Sequence, residues 1–513
     1  MRKFFLMMLI IMCVGVWAIT ATAEPKKGGT LLVGVPADAV GLDPHKTRAY
    51  SSALMLKTIY EELVALSADE TVMPGLAKSW TISDDGLIYT FKLREGVKFH
   101  NGREMSAEDV KYSYERLLDP KTKAPRLGPV KKIKDIKVLD KYTVQFTLTK
   151  ATAAFLILNA NPGRIFAIVP REEVEKQNGT LNIPVGTGPY KFVEYNPDQH
   201  FIVERFEEYT QPEIPNSGMG GYQPSFVDRI KYIPIKEATV RDIALKKGEI
   251  DFDTRISFDQ WDDMKTAKGV RIISGPGASV VAITFGIKNN PLFQNKAFRQ
   301  AVAYSLDSQG VLDGSVWGHG MINPSLVAKK LPFYSEVHKK GYSRDLKKVK
   351  TLLKKAGYKG QEVKILVAKR YPMTYKAAIV VQQQLQEAGI NAKLDVKEWA
   401  VLLKDAKSWK YDICSFIFGG SVDPAKPMRH LRPTGYSGYD NPEIVELIEQ
   451  GDSISDFNKR KKIYEQIHEI MIEDVPLVKF YDLDIGFGAQ TYVKGILDND
   501  RAGYTLTKYW LDK

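Results

Sequence analysis

The 513-residue chain is 44% hydrophobic and 26% charged, a balance that excludes a fibrous or low-complexity polymer and leaves a folded protein with room for two or three domains. Its formal charge of +12 admits nucleic acid, anionic lipid or an anionic solute as partner. No basic motif interleaved with aromatics occurs, so no nucleic acid partner is expected.

Arg2 and Lys3 precede an apolar run over 4–19, and Ala21-Thr22-Ala23 puts small residues just before Glu24. This pattern predicts a secretory signal peptide over 1–23, cleaved at Ala23/Glu24, and hence a periplasmic or otherwise extracytoplasmic protein. The run is shorter than the roughly 20 apolar residues of a spanning helix, and Met12 before Cys13 does not suit lipidation. Loss of Arg2 and Lys3 leaves a mature charge of +10 against +12 for the whole chain.

Period-two and helical segments alternate along the mature chain, which predicts an α/β fold with mixed sheets. TLLVGV (30–35) opens with a strand; a helix is expected over 52–66, with Met55, Ile59, Leu63 and Leu66 on its inner face. Asp84-Asp85-Gly86 turns a hairpin into the strand YTFKL (89–93), and Asn101-Gly102 makes a second turn. Ser106 and Asp109 form a capping box for a helix that buries Val110, Tyr114 and Leu117. YTVQFTL (142–148) is the next strand, and 212–224, rich in Pro, Gly and Ser, reads as a surface loop. Phe298, Val302 and Leu306 mark a helix. In a second, lysine-rich helix within SRDLKKVKTLLKKAGY (343–358), Leu346, Val349, Leu352 and Leu353 face inward, and Gly357 supplies the left-handed stop. EVKILVA (362–368) reads as a buried strand, and Ile463, Ile467 and Ile470 mark a last helix. Cys414, in the apolar stretch DICSFIF, is the one cysteine of the mature chain, so no intramolecular disulfide forms, and it reads as a buried small hydrophobe.

The stretch GLAKSWTISDDGLIYTFKLREGVKFHNGREMSAEDVKYSYERL (75–117) resembles the hallmark segment of family 5 extracellular solute-binding proteins of ABC importers, which serve dipeptides, oligopeptides, opines and nickel. GLDPH (41–45), GTGPYKF (186–192), FRQAVAYSLD (298–307), LLKKAGY (352–358), EAGI (387–390), GYDNPEIVELIE (438–449) and DVPLVKFY (474–481) follow in the family's order. The resemblance implies a bilobed periplasmic-binding-protein fold of type II, of the large class with an extra subdomain. Its two mixed-sheet lobes would be joined by hinge strands near 280–286 and 479–487. Lobe I would comprise 24–61, 185–283 and 484–513, the extra subdomain 62–184, and lobe II 284–483. The implied function is capture of a small solute in the interlobe cleft, by closure around it, and delivery to a membrane permease. The protein would be a monomer without cofactor or metal.

The resemblance also implies where ligand is met. In peptide-binding relatives a Trp-x-x-Asp stretch ahead of an acidic residue and proline supplies a carboxylate for the ligand's α-ammonium. Here the segment reads IFGGSVDP, with Ile417 and Gly420 at those places. An ammonium buried without its counter-charge costs about 3–5 kcal/mol, so the expected ligand lacks a free α-ammonium, as opines, blocked peptides or sugar derivatives do. Asp423 is either a shifted anchor or a turn former before Pro424. Arg370 aligns with an arginine that forks onto ligand carboxylate, Arg429 and Arg432 add positive charge, and Trp399 offers a stacking face. Tyr50 and Arg255 follow segments whose loops face the cleft.

An exported receptor for an oligosaccharide or other anionic solute, and an exported hydrolase, are the alternatives. Against the latter, the chain contains no G-x-x-x-x-G-K-[ST], G-x-S-x-G, H-E-x-x-H or S-x-x-K motif. Its seven histidines, His45, His100, His200, His319, His338, His430 and His468, lack metal-ligand spacing. His430, between Arg429 and Arg432, is the one weighed as a nickel ligand.

Overall fold

The structure is a computed structural model that describes residues 24–513 except 48, 126, 161–164 and 498–501. The predicted signal peptide lies outside the described residues. Among those residues no helix is long and apolar enough to cross a membrane.

Strand β1 (Thr30–Val35) leads to helix α1 (Tyr50–Leu56) and the short hairpin of β2 (Val64–Leu66) and β3 (Val72–Pro74). The helix expected over 52–66 is thus cut short. Beyond Lys57 the carbonyls of Thr58 and Ile59 accept from Tyr190 and Gly188, and those of Glu62 and Leu63 from Leu76 and Ala77. These long-range pairings outweigh a helical period that the apolar residues satisfy equally well.

A four-stranded antiparallel sheet follows, built from β4 (Ala77–Ile82), β5 (Ile88–Leu93), β6 (Ile133–Asp140) and β7 (Thr143–Leu148) in the order β4-β5-β7-β6. Gly86 takes the turn at φ 69° and Asp85 accepts from the Ser83 hydroxyl and the Leu87 amide, so its carboxylate serves the hairpin. Helix α2 (Ala107–Leu118) covers this sheet with the expected capping box in place. Val110, Tyr114 and Leu117 are buried, and the Tyr114 and Phe146 rings meet edge to face at 4.8 Å. The core of this body runs from Leu63 to Ile168 and takes in Val422 from far along the chain.

Apart from a short pair over 493–494 and 510–511, the remaining strands make one large mixed sheet. They are β8 (Tyr190–Asn196), β9 (His200–Arg205), β10 (Arg229–Pro234), β11 (Phe252–Asp253), β12 (Val270–Phe285), β13 (Gly320–Ile322), β14 (Val363–Val367), β15 (Ala392–Val396), β16 (Ile413–Phe418) and β17 (Leu477–Gln490). With β1 they run β15-β14-β16-β12-β17-β11-β1-β10-β9-β8, and β13 pairs with β17. The two long antiparallel strands β12 and β17 carry the sheet from one half to the other, as the family resemblance implies for the hinge strands. Between Pro276 and Val280 their register shifts. A Cβ on Gly277 would collide with the Leu483 carbonyl, so the backbones approach there as only glycine permits. One half-sheet packs around Val33, Tyr190, Ile230 and Phe252. The other has a core on each face, one around Phe298, Val363 and Phe480, the second around Phe416, Cys414 and Ile467. Cys414 is buried, and burial pushes its thiol pKa up. In the lysine-rich helix Leu346–Ala356, Val349 and Leu352 are buried but Leu346, at its first turn, is exposed.

Buried charge fastens these bodies together. In the GLDPH segment Asp43 accepts both Arg116 nitrogens (3.0 and 2.5 Å) and the Leu181 amide, tying the first loop to α2. His45 is held neutral beside them, its pKa lowered to about 4 by burial and by Arg116. Glu70, in the β2–β3 turn, meets Lys330 at 2.8 Å. Lys330's segment is in turn fixed to β17, where Asp482 accepts from the Lys329 amide, Asn323 and Lys479.

Candidate ligand site between the lobes

Strand directions locate the site. β14 runs parallel to β15 and β16, and β16 is antiparallel to β12 with Phe418 opposite Val280, so all three run toward the β12/β17 crossing. From the other half, β1 runs parallel to β10 and β11, and β11 approaches the same crossing antiparallel to β17, with Asp253 opposite Gly488. Two sets of parallel strands therefore point their carboxyl ends toward the same crossing, and the carboxyl ends of strands are where open α/β sheets take ligands. Arg370 follows β14, Trp399 follows β15, and Gly420, Asp423, Arg429 and Arg432 follow β16; Tyr50 and Arg255 come after β1 and β11. Residues from three distant segments are thereby brought to one wall.

That wall is aromatic with a basic edge. The exposed Arg370 guanidinium lies 5.9 Å from the Tyr371 ring, which meets half-buried Trp399 edge-on at 5.0 Å. Trp399 stacks on Phe416 at 5.6 Å, and Phe416 contacts Phe418 and Tyr436. His430 lies between Phe418 (4.1 Å) and Tyr436 (5.5 Å). Burial, with Arg429 and Lys426 nearby, lowers its pKa to about 3, so it stays neutral. Arg429 itself is exposed. Among the described residues no three His, Cys, Asp or Glu side chains are gathered as metal ligands.

Other residues in this group are engaged internally. Asp423 is only 1% exposed; its oxygens accept from Arg460 Nη1 (3.0 Å) and Nη2 (2.9 Å), and Oδ1 also accepts from the Ala425 amide. Arg432 pairs with Asp452 at 3.1 Å and Glu449 at 3.5 Å. The Gly420 carbonyl accepts from Lys426 Nζ at 2.6 Å. On the opposite side Tyr50 is exposed and meets Tyr504 edge-on at 5.8 Å. The Arg255 side chain is exposed, while its amide donates to Asp253 and its carbonyl accepts from Arg241.

Sequence reasoning missed Lys426 and the rings of Tyr371 and Tyr436, the latter lying over Phe416 and Phe418, themselves buried in the lobe II core. The alternation of Phe416 and Phe418 along β16 was a usable signal; nothing local indicates that Tyr436 and His430 fold back onto them.

A two-lobed solute-binding protein, with its cleft at the crossing of two long strands, is the class this architecture defines. The model of the bacterial extracellular solute-binding proteins, family 5, matches residues 71–440, and the chain belongs to that family. Among its relatives, the glutathione-binding protein GsiB of Escherichia coli O6:K15:H31 is 26% identical over 469 residues, covering 87% of this chain and 88% of GsiB. The oligopeptide-binding protein AppA of Bacillus subtilis is 26% identical over 525 residues, covering 96% and 93%. The structure of AgaA from A. tumefacien R10, in complex with agropinic acid, superposes with a TM-score of 0.75 at 26% identity, covering 94% of this chain and 99% of AgaA.

Proposed function

We propose that this chain is the exported substrate-binding component of an ABC-type importer, a non-enzymatic monomer. It closes over a peptide-like or opine-like solute and presents it to a membrane permease. The observation that carries this reading is the pair of opposed carboxyl-end strand sets, one bearing an aromatic wall edged by Arg370 and Arg429. Lobe I is assigned 24–61, 185–283 and 484–513, the extra subdomain 62–184, and lobe II 284–483; the main cores and the β12/β17 crossing support this division, while Ile165, Ala167, Val169, Val174 and Leu181 of the subdomain pack into the lobe I core.

The preferred ligand carries an anionic or acceptor-rich group and no free α-ammonium. Arg370 has the exposure and the forked geometry to hold a carboxylate, and Trp399 a face for stacking. Asp423 and Arg432 shape the loop through their internal pairs, with Gly420 giving the ligand room. Glutathione, oligopeptides and agropinic acid, the ligands named for these relatives, all carry carboxylates as this reading requires, while glutathione and oligopeptides also carry the free ammonium that it excludes for this chain.

A thermal-shift screen of the mature protein against peptides, opines and oligosaccharides tests this. Ligand at 100 times its Kd adds about 2.7 kcal/mol. For the best anionic ligand, Arg370→Ala is expected to weaken binding at least about tenfold, equivalent to about 1.4 kcal/mol. Chemical turnover of the bound solute, or unchanged affinity in the variant together with tight binding of free dipeptides, would overturn the reading.

A further inference from the structure

The loop after β16 stands between two cores. Phe418 packs with lobe II, whereas Val422, four residues on, packs with the core of the four-stranded sheet. The carbonyl groups that end a strand have no further partner in the ladder and attract a cation, and with two glycines at 419 and 420 no side chain screens them. Lys426 fills this place. Its Nζ donates to the Gly420 carbonyl at 2.6 Å and to that of Gly419 at 3.2 Å.

The surrounding charges act in the same direction. Asp423 is the only carboxylate between 419 and 432, and both its oxygens are held by Arg460. Arg429 is exposed on the same loop, and it and Lys426 add to the burial that keeps the His430 imidazole neutral. A ligand ammonium brought here would find two strand-end acceptors occupied by an ammonium the protein itself provides, with a second cation beside it.

We infer that Lys426 is a specificity-determining residue: its ammonium stands where a ligand amine would bind, so the site accepts solutes that are neutral or anionic at this loop and rejects those with a free α-ammonium there. This deepens the receptor reading above and rests on it. It assigns to a named side chain a selectivity that an absent carboxylate at position 420 alone would leave weak, because loss of an attractive partner does not create repulsion.

The test is isothermal titration of the mature protein with a panel of dipeptides, each as the free amine, the N-acetyl form and the N-(1-carboxyethyl) form. Wild type is expected to bind the two substituted forms at least about tenfold more tightly than the free amine. Lys426→Met should bring the forms to within about threefold, whereas Lys426→Arg, which keeps the charge, should preserve the preference. If Lys426 merely staples the loop, Lys426→Met weakens every form alike and leaves their ratio intact, which overturns the inference. Equal or tighter binding of free amines by wild type overturns it too, while leaving the receptor reading in place. No binding by any member of the panel removes the peptide-like receptor reading and the inference together.

Discussion

Asp423 illustrates how much a single carboxylate's role depends on a partner remote in sequence. Its side chain and that of Arg460 are both buried, and the guanidinium closes a two-pronged bond on it. Removing one member of such a pair leaves a charge in a low-dielectric setting, at a cost of about 3–5 kcal/mol, whereas replacing both by apolar groups is often neutral. Arg460→Met is therefore expected to lower unfolding free energy by about that amount in a denaturant titration, and Asp423→Leu with Arg460→Met to recover most of it. A single variant within about 0.5 kcal/mol of wild type would show that the pair is solvated and Asp423 available to a ligand. The sequence left Asp423 open between an anchor and a turn former, since Arg460 lies 37 residues away and its helix pattern shows only a charged residue. Lys426 escaped notice for the same reason: its partners are backbone carbonyls, which leave no trace in side-chain identity.

At the level of elements, what local chemistry controls was readable. The Ser106/Asp109 capping box, the Gly86 turn and the alternating strands β5 and β7 all form as their patterns require. The failure over 52–66 came where long-range backbone pairing with 186–190 decides conformation, and Leu346 where a helix end lies beyond its packing neighbour. The crossing strands offer a test. Asp484, on β17 opposite Pro276, has its pKa raised to about 6 by burial and by the neighbouring Asp482 charge. A folded-state pKa above the ordinary carboxylate value near 3.9 means the native form binds its proton more tightly, so stability falls as pH rises from about 4 to about 6. Asp484→Asn, which cannot ionise, should melt higher than wild type at pH 7.5 and lose that advantage by pH 4. A constant difference across this range would place Asp484 in water. On the same strands, Gly277→Ala forces a methyl against the Leu483 carbonyl; it should destabilise by about 1–3 kcal/mol, as overpacking does, in denaturant unfolding.

For the whole molecule, the family motifs conveyed the two-lobed plan because each is attached to a structural necessity, as GLDPH is to the buried Asp43–Arg116 network. Which side chains face the crevice was less legible, since it depends on strand direction and on aromatic residues drawn from separate loops. Function by closure makes a demand that no single contact meets: a ligand shifts the equilibrium between open and shut forms only by its difference in affinity for them. A solute held by the proposed Arg370 and Trp399 alone would bind both forms equally and close nothing; on the proposed reading, contacts from the other side, at Tyr50 and Arg255, supply that difference. Tyr50→Ala should therefore do two things together when measured with the solute giving the largest thermal shift. It should weaken binding, and at saturating solute it should reduce the ligand-induced fall in radius of gyration seen by X-ray scattering. Arg370→Ala, once saturated, should contract further than Tyr50→Ala, because the proposed Tyr50 contact across the crevice is kept in that variant. Full contraction of saturated Tyr50→Ala would mean that Tyr50 lies outside the closing contacts and that Arg255 or another lobe I group provides the difference.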